Sequence, residues 1–315
     1  MAELEIFPDA RRFEGWLRGR SGFGDARVLS IEPLDGGASN ITCRVRLDGA
    51  PAADIVLRMQ RQRGIFEPYD VVREGEVLRL LQASPVPVPR LLASERSAGP
   101  LGAPFIVMEW VDAPHMGVAG PEADFAAFTA AVASIHRLDW AALGLGFLGV
   151  PGSVAEGLRR ELAAIGLRMR RFTGEGDPLL ARAAAVLEAT VPGDGRLALC
   201  QGDINVFNYL FRERRVVAVV DWEQARISDP RSDVGQLVAL SHLKGAPFGP
   251  VEGMPFVRMY EAASGLELGG MEWFRARWLW ELGVIYYGWK AFNGTDPWYT
   301  WDDLARLLEA SLAEL

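Results

Sequence analysis

The stretch that decides the fold is Gln201-Gly202-Asp203-Ile204-Asn205-Val206-Phe207-Asn208, followed beyond a short hairpin by Asp221-Trp222-Glu223. A carboxylate at Asp203, an amide five residues on at Asn208 and a second carboxylate at Asp221 are the parts that phosphoryl transfer requires. Asp203 can orient and deprotonate an acceptor hydroxyl, while Asn208 and Asp221 offer the hard oxygens that Mg²⁺ prefers. Asp and Asn are also ordinary turn residues, so the spacing carries the reading and no single position does.

Around this stretch, Tyr209 to Trp222 reads as two apolar strands flanking Arg212-Glu213-Arg214-Arg215. Helical periodicity surrounds the hairpin on both sides. It runs over Glu122 to Leu138, Val154 to Thr173, Asp177 to Thr190, Ser232 to Leu243, Pro255 to Ala263, Met271 to Lys290 and Trp301 to Leu315. The first third differs. Arg27 to Pro33, Asn40 to Leu47 and Ala53 to Met59 form an expected antiparallel meander, with the glycine turn Asp35-Gly36-Gly37-Ala38-Ser39 at its first corner. A helix over Tyr69 to Ala83, then strands at Arg90 to Ser94 and Pro104 to Val111, complete this part, and Asp112 to Gly120 is the expected hinge.

Composition narrows the classes. Half of the 315 residues are hydrophobic and 23% are charged, enough apolar mass for a packed fold and too much for disorder. The longest apolar runs fall short of the roughly 20 residues of a membrane helix. The opening MAELEIFPDARRFEGW places acids and an Arg pair where a signal peptide needs a basic start and an apolar run, so the expected compartment is the cytoplasm. Cys43 and Cys200 stand far apart and make neither a disulfide framework nor a zinc pattern. A net charge of −8 argues against nucleic acid as partner. The residues through 110 hold 14 Arg, no Lys and 15 acids, so the acidic excess lies in the remainder. The chain's only lysines are Lys244 and Lys290, and any cation working in the first part is therefore an arginine. No G-x-x-x-x-G-K-[ST] occurs, which excludes a P-loop.

Over nearly its whole length the chain resembles the aminoglycoside phosphotransferase family, the small-molecule branch of the protein-kinase-like fold. The family's His-Gly-Asp-x-x-x-x-Asn loop appears as Gln201 to Asn208, its Asp-Trp-Glu as Asp221 to Glu223, and its Gly-Asp-Pro-x-x-Asp as Ser228 to Asp233. Val86-Pro87-Val88-Pro89, Gly102 to Glu109 and His136-Arg137-Leu138-Asp139-Trp140 are similar to the branch related to kinase-like domains fused to acyl-CoA dehydrogenases. The resemblance implies an α+β, two-lobed kinase-like fold, with a mixed antiparallel-sheet nucleotide-binding lobe at 1–110 and a mainly helical catalytic and substrate-binding lobe at 111–315. It implies ATP and Mg²⁺ as cofactors, Asp203 as base, and Asn208 and Asp221 as metal ligands. Arg58, in the place of the family's lysine, pairs with Glu74 to clamp the phosphates, and Gly36, Gly37, Ser39 and Asn40 cover them. Backbone groups of Glu109-Trp110-Val111 read the adenine. Asp233 is implied as a brace of the catalytic loop.

Gln201 departs from the family's His, which in kinases is chiefly structural. Glutamine offers a donor and an acceptor in similar volume. A nucleotide-binding pseudokinase, or a binding module without nucleotide affinity, is therefore a rival to an active enzyme. Six of the ten Trp lie between residues 273 and 301, and these read as core or as walls of an acceptor site. Glu281, Asp296, Asp302 and Asp303 read as exposed charges or as holders of an acceptor's amino groups. His115, His136 and His242 read as structural. The expected acceptor is a hydroxyl of a small molecule, a metabolite alcohol, sugar or amino alcohol ahead of an aminoglycoside or macrolide antibiotic. The sequence carries no signal for an oligomeric state.

Overall fold

The computed structural model describes residues 7–34, 39–116, 124–173, 176–245 and 253–315. Gly36 and Gly37 of the expected phosphate cover, and residues 117–120 of the expected hinge, lie outside them. The chain divides into two compact units, residues 1–83 with 88–112 and residues 84–87 with 113–315. The short segment 84–87 groups with the second unit, and the Val219 N–H donates to the Pro87 carbonyl at 2.8 Å.

The first unit is a five-stranded antiparallel sheet made of β1 (Arg27–Pro33), β2 (Ile41–Asp48), β3 (Asp54–Met59), β4 (Leu91–Glu95) and β5 (Phe105–Glu109), in the order β1-β2-β3-β5-β4. Alternation along β3 sets its two faces. Ile55, Leu57 and Met59 join Phe13 and Leu17 of helix α1 (Ala10–Arg18) in one core, burials that contribute about 1.5–3 kcal/mol for each large side chain. Helix α1 was not expected from the sequence. Val56 and Arg58 alternate with that set, and Arg58 meets helix α2 (Val71–Leu81), which Asp70 caps by accepting the Arg73 N–H at 2.9 Å.

The second unit is helical around α8 (Met271–Asn293), with α3 (Phe125–His136), α4 (Val154–Thr173), α5 (Pro178–Ala189), α6 (Arg231–Ser241), α7 (Gly253–Ser264) and α9 (Trp301–Leu312). Leu158, Leu162 and Ile165 of α4, Leu180 and Leu187 of α5, and Leu304 and Leu308 of α9 share one core with Phe274, Leu279 and Trp280 of α8. Helices α6 and α8 touch at Gly235, where a Cβ would lie 2.9 Å from the Phe274 carbonyl oxygen. Among the described residues four short strands complete the unit. β7 (Tyr209–Arg212) and β8 (Arg215–Val219) are the expected hairpin, closed by Glu213 and Arg214, whose φ values are 51° and 60°. β6 (Ala198–Cys200) and β9 (Arg226–Ser228) pair antiparallel and were not expected.

Two of the acids read as surface charges are buried instead. Glu281 pairs with Arg277 at 2.7 Å and with Arg168, while Asp303 accepts the Lys244 N–H at 3.0 Å and pairs with Arg306 at 2.6 Å. Both belong to the packing of the fold. Asp302 is exposed, and Asp296 pairs with Lys290 at 3.0 Å on the surface. Of the tryptophans, Trp273, Trp278 and Trp280 are core, whereas Trp298 is 46% exposed. No described helix is long and apolar enough to cross a membrane.

Candidate active site

Residues 201–208 run from the end of β6 to the start of β7, a path only glycine permits at its second position. Gly202 has φ +91°, and a Cβ there would lie 2.4 Å from the Gln224 carbonyl oxygen. The loop is held by α6. Asp233, fully buried in the first turn of that helix, accepts the Gln201 N–H at 2.8 Å on Oδ2 and the Gly202 N–H at 3.1 Å on Oδ1. His136 Nε2 sits 3.1 Å from the same Oδ2, and its Nδ1 is 2.7 Å from the Tyr260 hydroxyl. His136, Cys200 and Asp233 thus bring metal-ligand atom types within 4.8 Å of one another. Both imidazole nitrogens are already hydrogen-bonded, and burial pushes the Cys200 thiol well up, so hydrogen bonding accounts for the cluster as a brace.

Asp203 is brought to Asn208 by a single turn of 3-10 helix, Val206–Asn208. Asn208 Nδ2 donates to both the Asp203 carbonyl and Asp203 Oδ2, each at 3.0 Å. Gln236 Nε2 of α6 donates to Asp203 Oδ1. Burial, and next to it the charge of Asp221, push the Asp203 carboxyl up to about 6 from 3.8, against the hydrogen bonds that oppose the rise. Asp221 therefore acts electrostatically on Asp203. Its own backbone is left-handed, with φ 61°. Gln201 supports that conformation, because its Nε2 donates to the Val220 carbonyl at 2.9 Å and to the Asp221 carbonyl at 3.2 Å, while its Oε1 accepts from the Tyr209 hydroxyl at 3.4 Å. Trp222 turns inward, fully buried, with its indole N–H on the Val219 carbonyl at 2.9 Å.

The donor set suits a hard dication. With Asn208 Nδ2 committed to Asp203, the amide oxygen is directed elsewhere, and Asp221 lies near enough for its charge to raise the Asp203 carboxyl.

In the first unit Arg58 Nε lies 2.9 Å from Glu74 Oε2, both side chains buried, and Arg58 Nη1 donates to the Thr42 hydroxyl at 3.4 Å. Arg58 and Glu74 are brought together, as the resemblance implied. Asn40 and Ser39 are buried, and Asn40 Oδ1 accepts the Arg61 N–H at 3.3 Å, a bond within the unit. Glu109 ends β5 and is exposed, with its N–H on the Arg90 carbonyl at 2.9 Å, and Val111 follows it partly buried. Sequence reasoning missed Gln236, whereas the donor and acceptor of Gln201 serve the structural place expected of it. The available signal for Gln236 was its spacing of three from Asp233, which puts both on one face of α6.

The sequence pattern described as the phosphotransferase enzyme family matches residues 30–279. The chain is 27% identical over 233 residues to acyl-CoA dehydrogenase family member 10 of Mus musculus, a match covering 70% of this chain and 21% of that protein. It is 28% identical over 253 residues to acyl-CoA dehydrogenase family member 11 of Rattus norvegicus, covering 74% and 32%. The match thus spans between about a fifth and a third of the length of these curated relatives. Among solved structures, one from Ralstonia eutropha, described as that of an assigned but unproven aminoglycoside phosphotransferase, superimposes with TM-score 0.74 at 22% identity over 98% of this chain and 99% of that one. A choline/ethanolamine kinase family protein from Mesorhizobium loti gives 0.63 at 18% identity over 96% and 97%. The GDP complex of aminoglycoside 2'-phosphotransferase-IIIa gives 0.62 at 17% identity over 97% and 99%. These likenesses concern the fold, which is α+β and protein-kinase-like. With its loop from Gln201 to Asn208, its Asp221-Trp222-Glu223 and a matching pattern over residues 30–279, the chain belongs to the phosphotransferase enzyme family.

Proposed function

We propose that the protein transfers the γ-phosphoryl group of ATP to a hydroxyl of a small molecule. The observation that carries this reading is Asp203, held on both carboxylate oxygens by amides, with its carboxyl raised by burial and by Asp221. A base poised near neutrality suits removal of a hydroxyl proton as the oxygen attacks phosphorus. Asn208 and Asp221 would hold Mg²⁺, which when bound neutralises charge on the phosphate oxygens. Arg58, fixed by Glu74, presents a planar guanidinium that can fork onto two phosphate oxygens. Gly36, Gly37, Ser39 and Asn40 are assigned to covering the phosphates, and the backbone of Glu109 and Val111 to the base of the nucleotide. On this assignment the first unit is the nucleotide-binding lobe and the second the catalytic and substrate-binding lobe. Catalysis rests on positioning and charge neutralisation, in a site braced by Asp233 and Gln201.

The acceptor we favour is a metabolite alcohol, sugar or amino alcohol over an antibiotic. The curated relatives are acyl-CoA dehydrogenase family members, and one similar structure is of a choline/ethanolamine kinase family protein. Two buried free cysteines suit a reducing compartment, in keeping with a cytoplasmic enzyme. Since a similar structure holds GDP, the donor is tested as both ATP and GTP.

The experiment is transfer from γ-labelled ATP or GTP with Mg²⁺ across amino alcohols, sugars, hydrophobic alcohols, aminoglycosides and macrolides, with Asp203→Ala beside the wild type. Labelling of one acceptor class, abolished in the variant, is the expected result. Nucleotide binding with no transfer to any class and no release of phosphate to water would instead identify a pseudokinase.

A further inference from the structure

One face of α6 grips three successive residues of the catalytic loop. Asp233 takes the N–H groups of Gln201 and Gly202, and one turn on, Gln236 gives its Nε2–H to Oδ1 of Asp203. The other oxygen of Asp203 takes the amide of Asn208 at 3.0 Å. The two contacts differ in their anchorage. Asn208 rides on the same loop as Asp203, whereas Gln236 stands on a helix fixed from behind, where Gly235 packs against the Phe274 backbone. Gln236 is only 6% exposed, and its Oε1 is buried with no hydrogen-bond partner among the described residues. A glutamine serving the fold alone would settle with both ends paired, because a desolvated carbonyl without a bond is unfavourable. Here one end goes to a carboxylate and the other is left over, so the bond to Asp203 determines how the side chain lies.

We infer that Gln236 is a positioning residue for the phosphoryl-transfer step, its amide N–H fixing the Asp203 carboxylate in the orientation that receives the acceptor's proton. The inference rests on Asp203 being the base. It assigns to α6 two separate tasks: Asp233 shapes the loop backbone and Gln236 aims the reacting side chain.

The test is Gln236→Met, which keeps the volume, removes the donor and also removes the unpaired carbonyl. Its unfolding midpoint should equal or exceed that of the wild type, and its affinities for MgATP and MgGTP should stay within twofold. Its kcat, measured with whichever acceptor the panel yields or as release of phosphate to water, should fall at least tenfold, since a misplacement of about 1 Å costs on the order of 100-fold. Gln236→Glu, of the same shape but without a donor, should lose as much. A Gln236→Met enzyme within threefold of wild-type kcat overturns the inference, as does a loss of kcat that merely parallels losses of stability and nucleotide affinity. Wild-type turnover abolished by Asp203→Ala but untouched by Gln236→Met refutes the inference alone. A wild type that binds nucleotide yet neither transfers nor hydrolyses refutes the Asp203 reading as well.

Discussion

Replacing Asp203 by Asn should stabilise the fold while abolishing transfer. The Asp203 carboxyl is raised from 3.8 to about 6 by burial and by the charge of Asp221. Each unit corresponds to about 1.4 kcal/mol, so at neutral pH the ionised group costs the native state about 3 kcal/mol. The sign follows from proton counts. Between pH 3.8 and about 6 the native state holds a proton that the unfolded chain has lost, so stability falls as pH rises through that window and the full cost is present above it. Asparagine cannot ionise, but it accepts from only one of the two amides now on Asp203, a loss of about 1 kcal/mol. The net gain at pH 7.5 is about 2 kcal/mol, or roughly 4–8 °C in the unfolding midpoint of a unit of this size. By pH 4 the gain should vanish and turn slightly negative. Calorimetric melts at both pH values, in chelator so that no dication screens Asp221, check both the magnitude and its pH dependence. A variant no more stable than wild type at pH 7.5, or equally stabilised at pH 4, would refute the electrostatic account of Asp203.

Arg58→Met should destabilise the first unit by about 3–5 kcal/mol, because it removes the cation paired at 2.9 Å with the buried Glu74, and Arg58→Met with Glu74→Leu should recover most of that loss without recovering nucleotide affinity. Urea unfolding of the single and double variants, beside thermal shift by MgATP, separates the two effects. Gln201→Leu removes the donor to the Val220 and Asp221 carbonyls and should cost about 2–4 kcal/mol. It should also weaken the response to Mg²⁺ more than Gln201→His does, a difference read from the Mg²⁺ dependence of turnover.

How far the sequence could be read depended on whether the signal was local. The strand from Arg27 to Pro33 and the helix from Val154 to Thr173 have the expected bounds, because alternation and helical period are written in consecutive residues. That Asp203 comes together with Asn208 and Asp221 was likewise legible, since turn residues at fixed offsets in a hairpin-flanked loop are a local pattern. Strands β6 and β9 were not. Each is three residues long and exists only because Ala198 finds Ser228 and Cys200 finds Arg226 across the fold. Burial of charge was also hidden. Glu281 sits on α8 with nothing nearby in sequence to mark it as buried except Arg277 four residues earlier, and its second partner Arg168 comes from another helix. Gln236 was overlooked for the same reason, as its partner is 33 residues away.

Those non-local bonds explain how so unfavourable a loop persists. Asp221 is held left-handed, Gly202 has backbone where any side chain would collide, and Asp203 keeps a partly buried charge beside another carboxylate. Each feature is opposed by a side-chain bond, Gln201 to the backbone at 221 and, from helix α6, Asp233 to the N–H groups of 201 and 202 and Gln236 to Asp203 itself. Helix α6 can serve this way because α8 packs directly on its Gly235, and α8 is in turn fixed by the apolar cluster it shares with α4, α5 and α9. The aromatic-rich sequence from 273 to 301 therefore bears on the proposed chemistry first as the support behind α6. A core substitution such as Phe274→Ala, although it removes no group from the site, should lower turnover through α6 before it unfolds the chain.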